Sequence, residues 1–121
     1  ISHTAKTFPK LPYEEMKNAI LGKNFNLSLA FIGAVRAQAL NKKYRNATYV
    51  PNVLSFPLGK GAGEIYITPV VAEREAPKYN LTKKGYIGYL FIHGLLHLKG
   101  YPQGATMERA EKKFMTLFHL K

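Results

Sequence analysis

The sequence predicts an α+β fold in which a small mixed sheet of about four strands is covered by helices. Two observations favour this class. Segments with the apolar spacing of helices alternate with short β-prone segments, and 46% of the 121 residues are hydrophobic, which is enough for one core. We therefore expect a single domain over residues 1–121.

The first part of the chain predicts a helix followed by a strand. Residues 12–21 have helical spacing, with Pro12 in the first turn and Gly22 directly after the last one. Residues 26–32 alternate apolar side chains with smaller or polar ones, which is typical of a half-buried strand.

A second helix is predicted over residues 34–44. Its spacing turns three apolar side chains inward, namely Val35, Ala39 and Leu40. Its cations face the solvent and are Arg36, Lys42 and Lys43.

The remaining chain predicts two strands and three helices. The β-prone runs at 53–56 and 64–68 are separated by a glycine-rich loop, so we expect them to form a hairpin-like pair. The three helices are predicted over residues 69–75, 82–99 and 105–120.

The chain is strongly basic, because eighteen Lys and Arg residues against seven Glu residues give a formal net charge of +11. Such a charge attracts polyanions such as RNA, although a solvated surface that serves only solubility would have the same composition. The lysines that we expect to contact RNA are Lys60, Lys83, Lys84 and Lys99.

The sequence predicts neither a membrane segment nor a thiol site. No run reaches the ~20 apolar residues of a membrane helix, and the segment Ile1–Thr4 lacks the apolar stretch of a signal peptide. We therefore expect a cytoplasmic protein without membrane association. Cysteine is absent, so a transition metal would be bound by imidazole and oxygen ligands.

Two histidines stand four residues apart in an apolar run of helix length. His93 and His97 therefore project from one helix face, which suits a shared zinc ion. Gly100 and Pro102 are expected to end the helix and turn the chain back, which leaves position 103 well placed to face the same point. That position holds Gln103, whose amide oxygen is a weaker zinc donor than imidazole.

The segment HGLLHLKGY at residues 93–101 resembles the signature of the YbeY family of endoribonucleases. In that family the signature continues to a third histidine, and the three histidines bind zinc. The resemblance implies a zinc cofactor here, with His93 and His97 at the first two ligand positions and Gln103 at the third.

Three further segments are similar to the family in the same order, over residues 40–45, 52–57 and 63–67. The first of them contains Arg45, which matches a functionally important arginine. The chain has no aspartate, and Asn52 and Glu64 stand where the family has Asp.

The resemblance implies a metal-dependent endoribonuclease that cleaves single-stranded RNA in rRNA maturation and ribosome quality control, with ribosomal components as partners. We expect Arg45 to be catalytic and to hold the phosphate bidentately, and Ser55 to line the site. Zinc proteases of the HExxH type carry a glutamate at the position of Gly94, so its absence argues against peptide hydrolysis.

Two alternatives stay open. A basic RNA- or ribosome-binding factor without catalytic activity would keep the fold after losing the third histidine. A metal-dependent hydrolase could also act on another substrate. The metal content of the purified protein distinguishes the first alternative from the endoribonuclease.

Overall fold

The computed structural model describes residues 9–121. The segment Ile1–Thr4, on which the expectation about a signal peptide rests, lies outside the described residues. Within the described part of the chain, no helix is both long enough and apolar enough to cross a membrane.

The described residues form five α-helices, one 3-10 turn and three strands. In chain order the elements are α1 (Tyr13–Leu21), β1 (Asn26–Phe31), α2 (Ala34–Arg45), β2 (Val53–Pro57), β3 (Ala62–Ile67), α3 (Pro69–Glu75), the 3-10 turn (Ala76–Tyr79), α4 (Lys83–Lys99) and α5 (Ala105–Leu117). This confirms the α+β class. The expected count of about four strands is wrong for residues 9–121, where three strands pair and helices and short loops take up the rest of the chain.

The sheet has the order β1-β3-β2, so β3 is central and β2 lies at an edge. β1 runs parallel to β3, with Asn26 opposite Ala62 at one end of the ladder. β2 runs antiparallel to β3, with Pro57 opposite Gly63, which confirms the hairpin-like pair. Among the strands of residues 9–121, β2 has a neighbour on one side alone, and its residues also line the cleft described below.

α4 covers one face of the sheet and forms the centre of the core. Ten of its seventeen residues are buried. They pack with the fully buried Leu29, Ile65 and Ile67 of the sheet, and α1 and α5 flank α4. A helix that is apolar on most sides is buried on most sides, so its position relative to the sheet is closely fixed.

α2 covers the other face, and its inward side agrees with the prediction at Leu40, which packs against buried residues of the sheet, but differs elsewhere. Val35 is 85% exposed and Ala39 is also exposed, whereas Ala37 and Asn41 are buried. The reason is that a polar residue takes an inward position: the Asn41 side chain donates a hydrogen bond to the Tyr49 carbonyl at 3.0 Å. Its Oδ1 atom is buried without a hydrogen-bond partner among the described residues, so the amide is paired through its NH₂ group alone, and a buried polar side chain of this kind does not register in apolar spacing.

Candidate active site

A cleft of about 540 Å³ is bounded by the end of α2, the strand β2 and the helix α4. The five side chains that sequence reasoning assigned to a site all line it: Arg45, Ser55, His93, His97 and Gln103. The other lining residues are Tyr44, Tyr49, Pro51, Asn52, Val53 and Phe56. The structure thus brings together residues from four separate segments of the chain.

α4 places its two histidines on the side that faces the cleft. The ring centroids of His93 and His97 lie 4.5 Å apart, and their Nε2 atoms approach to 3.0 Å. Both residues are partly buried, while Gly94 between them faces the sheet. One turn of helix therefore aims both imidazole nitrogens at the same point.

The predicted chain reversal follows directly. Gly100 has a φ of 107°, in the left-handed region that favours glycine, and its N–H donates to the His97 carbonyl at 3.0 Å. The Tyr101 N–H donates to the Leu96 carbonyl at 3.0 Å, which completes a glycine-based helix end. The loop then returns Gln103 to the cleft, where its side chain makes a hydrogen bond with His97.

A buried carboxylate contacts the ring of His93 at Nδ1, the nitrogen that does not face His97. Glu111 of α5 is 5% exposed, and its Oε2 atom lies 2.5 Å from Nδ1 of His93. Its other oxygen accepts a hydrogen bond from the Tyr89 hydroxyl at 3.5 Å. Since an ionised carboxylate only accepts hydrogen bonds, it holds a proton on Nδ1 of His93 and leaves Nε2 with a lone pair when the ring is neutral.

The electrostatics of the site favour neutral side chains. Burial and the neighbouring His93 lower the pKa of His97 below its ordinary value, and hydrogen bonds to the Tyr101 backbone and the Gln103 side chain oppose this in part. Burial, reinforced by the Glu111 charge, raises the pKa of Tyr89 to about 12. A neutral His97 keeps its ring nitrogen available as a donor to a metal.

These residues fit a zinc ion in geometry and in donor chemistry. Two nitrogens bound to zinc at ~2.0–2.1 Å and at the tetrahedral angle lie about 3.3 Å apart, which is close to the observed separation of the two Nε2 atoms. The carboxylate behind His93 is the partner that zinc-bound histidines commonly have. Within residues 9–121 no group of three His, Cys, Asp or Glu side chains could hold a metal, so the two imidazoles have no third side chain of these types beside them there.

Arg45 stands opposite the histidines at the last position of α2. Asn46 ends this helix with a φ of 53°, and Arg45 itself is exposed. Among residues 9–121 the salt bridges are Lys83 with Glu73 and His93 with Glu111, so Arg45 has no carboxylate partner there. Its guanidinium is therefore available to an anion in the cleft.

Asn52, which stands where the family has Asp, is part of a polar cluster at the start of β2. Its Nδ2 donates to Glu75 at 3.0 Å, and its Oδ1 accepts from the Val53 N–H at 2.7 Å. The Tyr86 hydroxyl also donates to Glu75, at 2.8 Å. An aspartate at position 52 would face the Glu75 carboxylate, so the amide suits this neighbour better.

The lysines predicted to contact RNA do not line the cleft. Lys83 forms a salt bridge with Glu73 at 3.8 Å, and the Lys99 Nζ donates to the Ile20 carbonyl at 2.9 Å. Lys60 and Lys84 are exposed. Contact with RNA at these positions stays a prediction.

Sequence reasoning missed Glu111 and the aromatic part of the cleft. A signal for Glu111 is present, because the carboxylate interrupts the apolar stripe of α5 formed by Met107, Ala110 and Phe114. Nothing comparable marks Tyr44 and Tyr49, since a surface tyrosine is common in any sequence.

The family model described as Endoribonuclease YbeY matches residues 2–118. The protein named Endoribonuclease YbeY from Mesoplasma florum is 36% identical over 113 residues, which cover 84% of this chain and 64% of the relative. The relative of the same name from Mycoplasma mycoides is 37% identical over 71% of this chain and 62% of its own length. The chain thus spans less than two thirds of the length of these two relatives.

Two further comparisons agree. Endoribonuclease YbeY from Thiobacillus denitrificans is 34% identical, with 84% of this chain and 76% of the relative covered. A solution structure from Thermotoga maritima has the same fold, with a TM-score of 0.62 at 28% identity over 84% of this chain and 72% of the other. Since the family model matches nearly the whole sequence and several relatives exceed 30% identity, the chain belongs to the YbeY endoribonuclease family.

Proposed function

We propose that this protein is a metal-dependent endoribonuclease that cleaves single-stranded RNA in rRNA maturation and ribosome quality control. The observation that supports this most is the meeting of His93, His97, Gln103 and Arg45 in one cleft of a chain with a net charge of +11. Family membership supports RNA as the substrate. A cytoplasmic location and ribosomal components as partners belong to the same proposal.

In this proposal His93, His97 and Gln103 hold zinc. A zinc ion held there would supply Lewis-acid chemistry towards a phosphoryl oxygen and a water molecule. Glu111 keeps the proton of His93 on Nδ1, so that Nε2 is the donor atom. The same hydrogen bond fixes the orientation of the ring.

Arg45 binds the phosphate that is to be cleaved. Its planar guanidinium presents five N–H donors and can hold two phosphate oxygens at once, which a lysine cannot do. Negative charge grows on these oxygens as the attacking oxygen bonds to phosphorus, and the leaving oxygen takes the electron pair of the bond that breaks. A fixed cation across the cleft from the histidines therefore stabilises the transition state more than the bound substrate.

Replacing Arg45 with alanine tests the catalytic part of the proposal. Arg45→Ala should lower kcat/KM for a single-stranded RNA on the order of a hundredfold, as is typical when one preorganised donor to the transition state is removed. RNA affinity should fall much less, because the other cations remain. Arg109→Ala removes the same charge from an exposed position of α5 outside the cleft and should change kcat/KM little.

One alternative has support of its own in this chain. Gln103 replaces an imidazole donor, which favours an RNA- or ribosome-binding factor that no longer cleaves. Cleavage that a chelator abolishes and added zinc restores would exclude this alternative. RNA binding without chelator-sensitive cleavage above the level of Arg45→Ala would replace the proposed activity with it.

The metal site has a separate test. Gln103→His should bind zinc more tightly than the parent in competition with a chromophoric chelator, because imidazole is the better donor at the same place in the loop. Gln38→His is a matched control on the exposed side of α2. If both variants match the zinc affinity of the parent, Gln103 is not a ligand.

A further inference from the structure

Three aromatic rings extend from the cleft across the sheet face beside α2. The centroids of the Tyr44 and Phe56 rings lie 5.3 Å apart, and those of Phe56 and Tyr66 lie 6.0 Å apart. We call these three residues the aromatic strip. They come from α2, β2 and β3, so the tertiary fold assembles the strip and no local sequence pattern displays it.

The aromatic strip connects the cleft to a second depression. A groove of about 280 Å³ is lined by Leu40, Tyr44, Phe56, Pro57, Leu58, Glu64 and Tyr66. Tyr44 and Phe56 line both the groove and the cleft, and therefore form their common boundary. A ligand whose phosphate lies at Arg45 can reach the groove by passing over these two rings.

The surface around this boundary carries large exposed apolar side chains. Tyr44 is 58% exposed, Tyr49 is 58% exposed and Leu58 is 57% exposed. Tyr49 lines the cleft and Leu58 lines the groove. Large exposed apolar side chains that cluster beside a polar cleft indicate a binding surface, because scattered ones would need no explanation.

Cations alternate with these rings. The guanidinium of Arg36 lies 5.9 Å from the Tyr66 ring centroid, and the ammonium of Lys43 lies 5.2 Å from that of Tyr44. Arg45 follows Tyr44 directly in sequence and lines the cleft. Rings that stack on bases and cations that pair with the backbone are the two components of a single-strand RNA site.

Glu64 contributes a carboxylate to the groove. The Tyr66 hydroxyl donates a hydrogen bond to it, and burial together with the Glu64 charge raises the pKa of Tyr66. This bond restrains the Tyr66 ring at the far end of the strip. The carboxylate also gives the groove an acceptor for the N–H groups on the edge of a base, whereas it would repel a second phosphate.

We propose that the aromatic strip is a stacking site for an unpaired base adjacent to the phosphate at Arg45. The inference rests on the proposed function, since it takes RNA as the ligand of the cleft. It adds a base subsite, formed by Tyr44 and Phe56 at the boundary and closed by Tyr66 and Glu64. The site selects RNA that is unpaired at this position, because a base in a duplex has no free face to offer.

The test measures RNA binding under conditions that prevent cleavage, with the metal removed. The probe is a fluorescein-labelled single-stranded oligoribonucleotide, followed by anisotropy. Tyr44→Leu should weaken its binding about 5- to 100-fold, because a base stacked on an aromatic side chain contributes this much to affinity. The slope of log affinity against log salt should not change, since no charge is removed. Tyr44→Trp, which restores an aromatic face, should bind at least as tightly as the parent.

Tyr79→Leu is the matched control. Tyr79 is 55% exposed, close to the exposure of Tyr44, but it lies in the 3-10 turn and lines neither the cleft nor the groove. This variant should bind the oligoribonucleotide like the parent. Thermal melting of each variant shows whether the substitution has left the fold intact.

A second measurement needs no substitution. An oligoribonucleotide that carries the fluorescent base aminopurine should be quenched on binding to the parent, because stacking on a ring quenches this base. If the parent binds RNA but Tyr44→Leu equals Tyr79→Leu and aminopurine is not quenched, the stacking site is wrong and the proposed function stands. If the parent binds no RNA, both are wrong.

Discussion

The two sides of the cleft are built in opposite ways. The α4 side carries His93 and His97 on a helix with ten buried residues out of seventeen, whereas the α2 side carries Tyr44 and Arg45 on a helix with two out of twelve. A metal site requires donors at fixed distances, which dense packing supplies. A polymeric substrate requires cations and rings that can adjust, which an exposed helix end supplies.

The first prediction compares overpacking on the two sides. A Cβ atom at Gly94 would lie 3.1 Å from the Ile65 side chain, so Gly94→Val should force α4 away from the sheet and lower the free energy of unfolding by about 1–3 kcal/mol. Ala39→Val introduces the same side chain at an exposed position of α2, adding two carbon atoms where Gly94→Val adds three, and should change the free energy of unfolding by less than about 0.5 kcal/mol. Urea denaturation measures both. Equal effects on the free energy of unfolding would mean that the two sides tolerate added side-chain volume equally.

The second prediction concerns the support behind His93. Glu111→Gln keeps the shape of the side chain but offers His93 a weaker acceptor, so zinc affinity should fall about 10- to 100-fold, the usual effect of losing such a partner. Gln38→Ala removes a side chain of α2 that donates a hydrogen bond to the Thr48 carbonyl, and it should leave zinc affinity unchanged. Competition with a chelator gives both values. An unchanged zinc affinity in Glu111→Gln would show that this carboxylate does not support metal binding.

The third prediction tests the strand between the two sides. Asn52→Asp removes the donor to Glu75 and adds a second carboxylate there, so the free energy of unfolding should fall by about 1–2 kcal/mol at neutral pH. The deficit should shrink as the pH falls towards ~4, because protonation relieves the repulsion. Asn80→Asp makes the same change at an exposed position and serves as the control. A deficit independent of pH would exclude repulsion as the cause.

The smallest expected effect is a dependence of stability on pH. The pKa of His97 is lower in the folded protein than in the unfolded chain, so the unfolded chain binds more protons once the pH falls below ~6.5. Metal-free parent should therefore lose stability over this range, and His97→Asn should lose less. Denaturation of both proteins at a series of pH values measures the difference. Parallel curves would show that burial does not disfavour the charged imidazole.

Much of the fold was accessible from the sequence because apolar spacing controls it. The long helix with its end at Gly100 and the pairing of β2 with β3 were predicted from local patterns. The inward side of α2 was predicted correctly at Leu40 alone, because Asn41 is buried through a hydrogen bond to the Tyr49 backbone and the apolar Val35 is exposed. Spacing reports how apolar a side chain is, and it does not report whether the tertiary structure satisfies a polar one.

In the candidate site too, local patterns predicted some residues, and others depend on tertiary packing. His93, His97 and Gln103 lie within eleven residues, so helix geometry and one turn bring them together, and the resemblance to a family added Arg45 and Ser55. Glu111 and the partners of Asn52 depend on how α5 and α3 pack, which no local pattern encodes. Eleven residues line the cleft, and the roles of the five among them that the sequence predicted stay predictions.

The parallel pairing of β1 with β3 joins two parts of the chain that are far apart in sequence. β2 and β3 are joined by a short turn, whereas α2 and β2 separate Asn26 from Ala62 in the sequence. Contacts between distant parts of a chain form slowly, because the closure of a long loop is unfavourable until the sheet rewards it. α4 follows later still in the chain. The cleft takes side chains from α2, β2, α4 and the loop after α4, so it is complete only after the chain has been synthesised through residue 103.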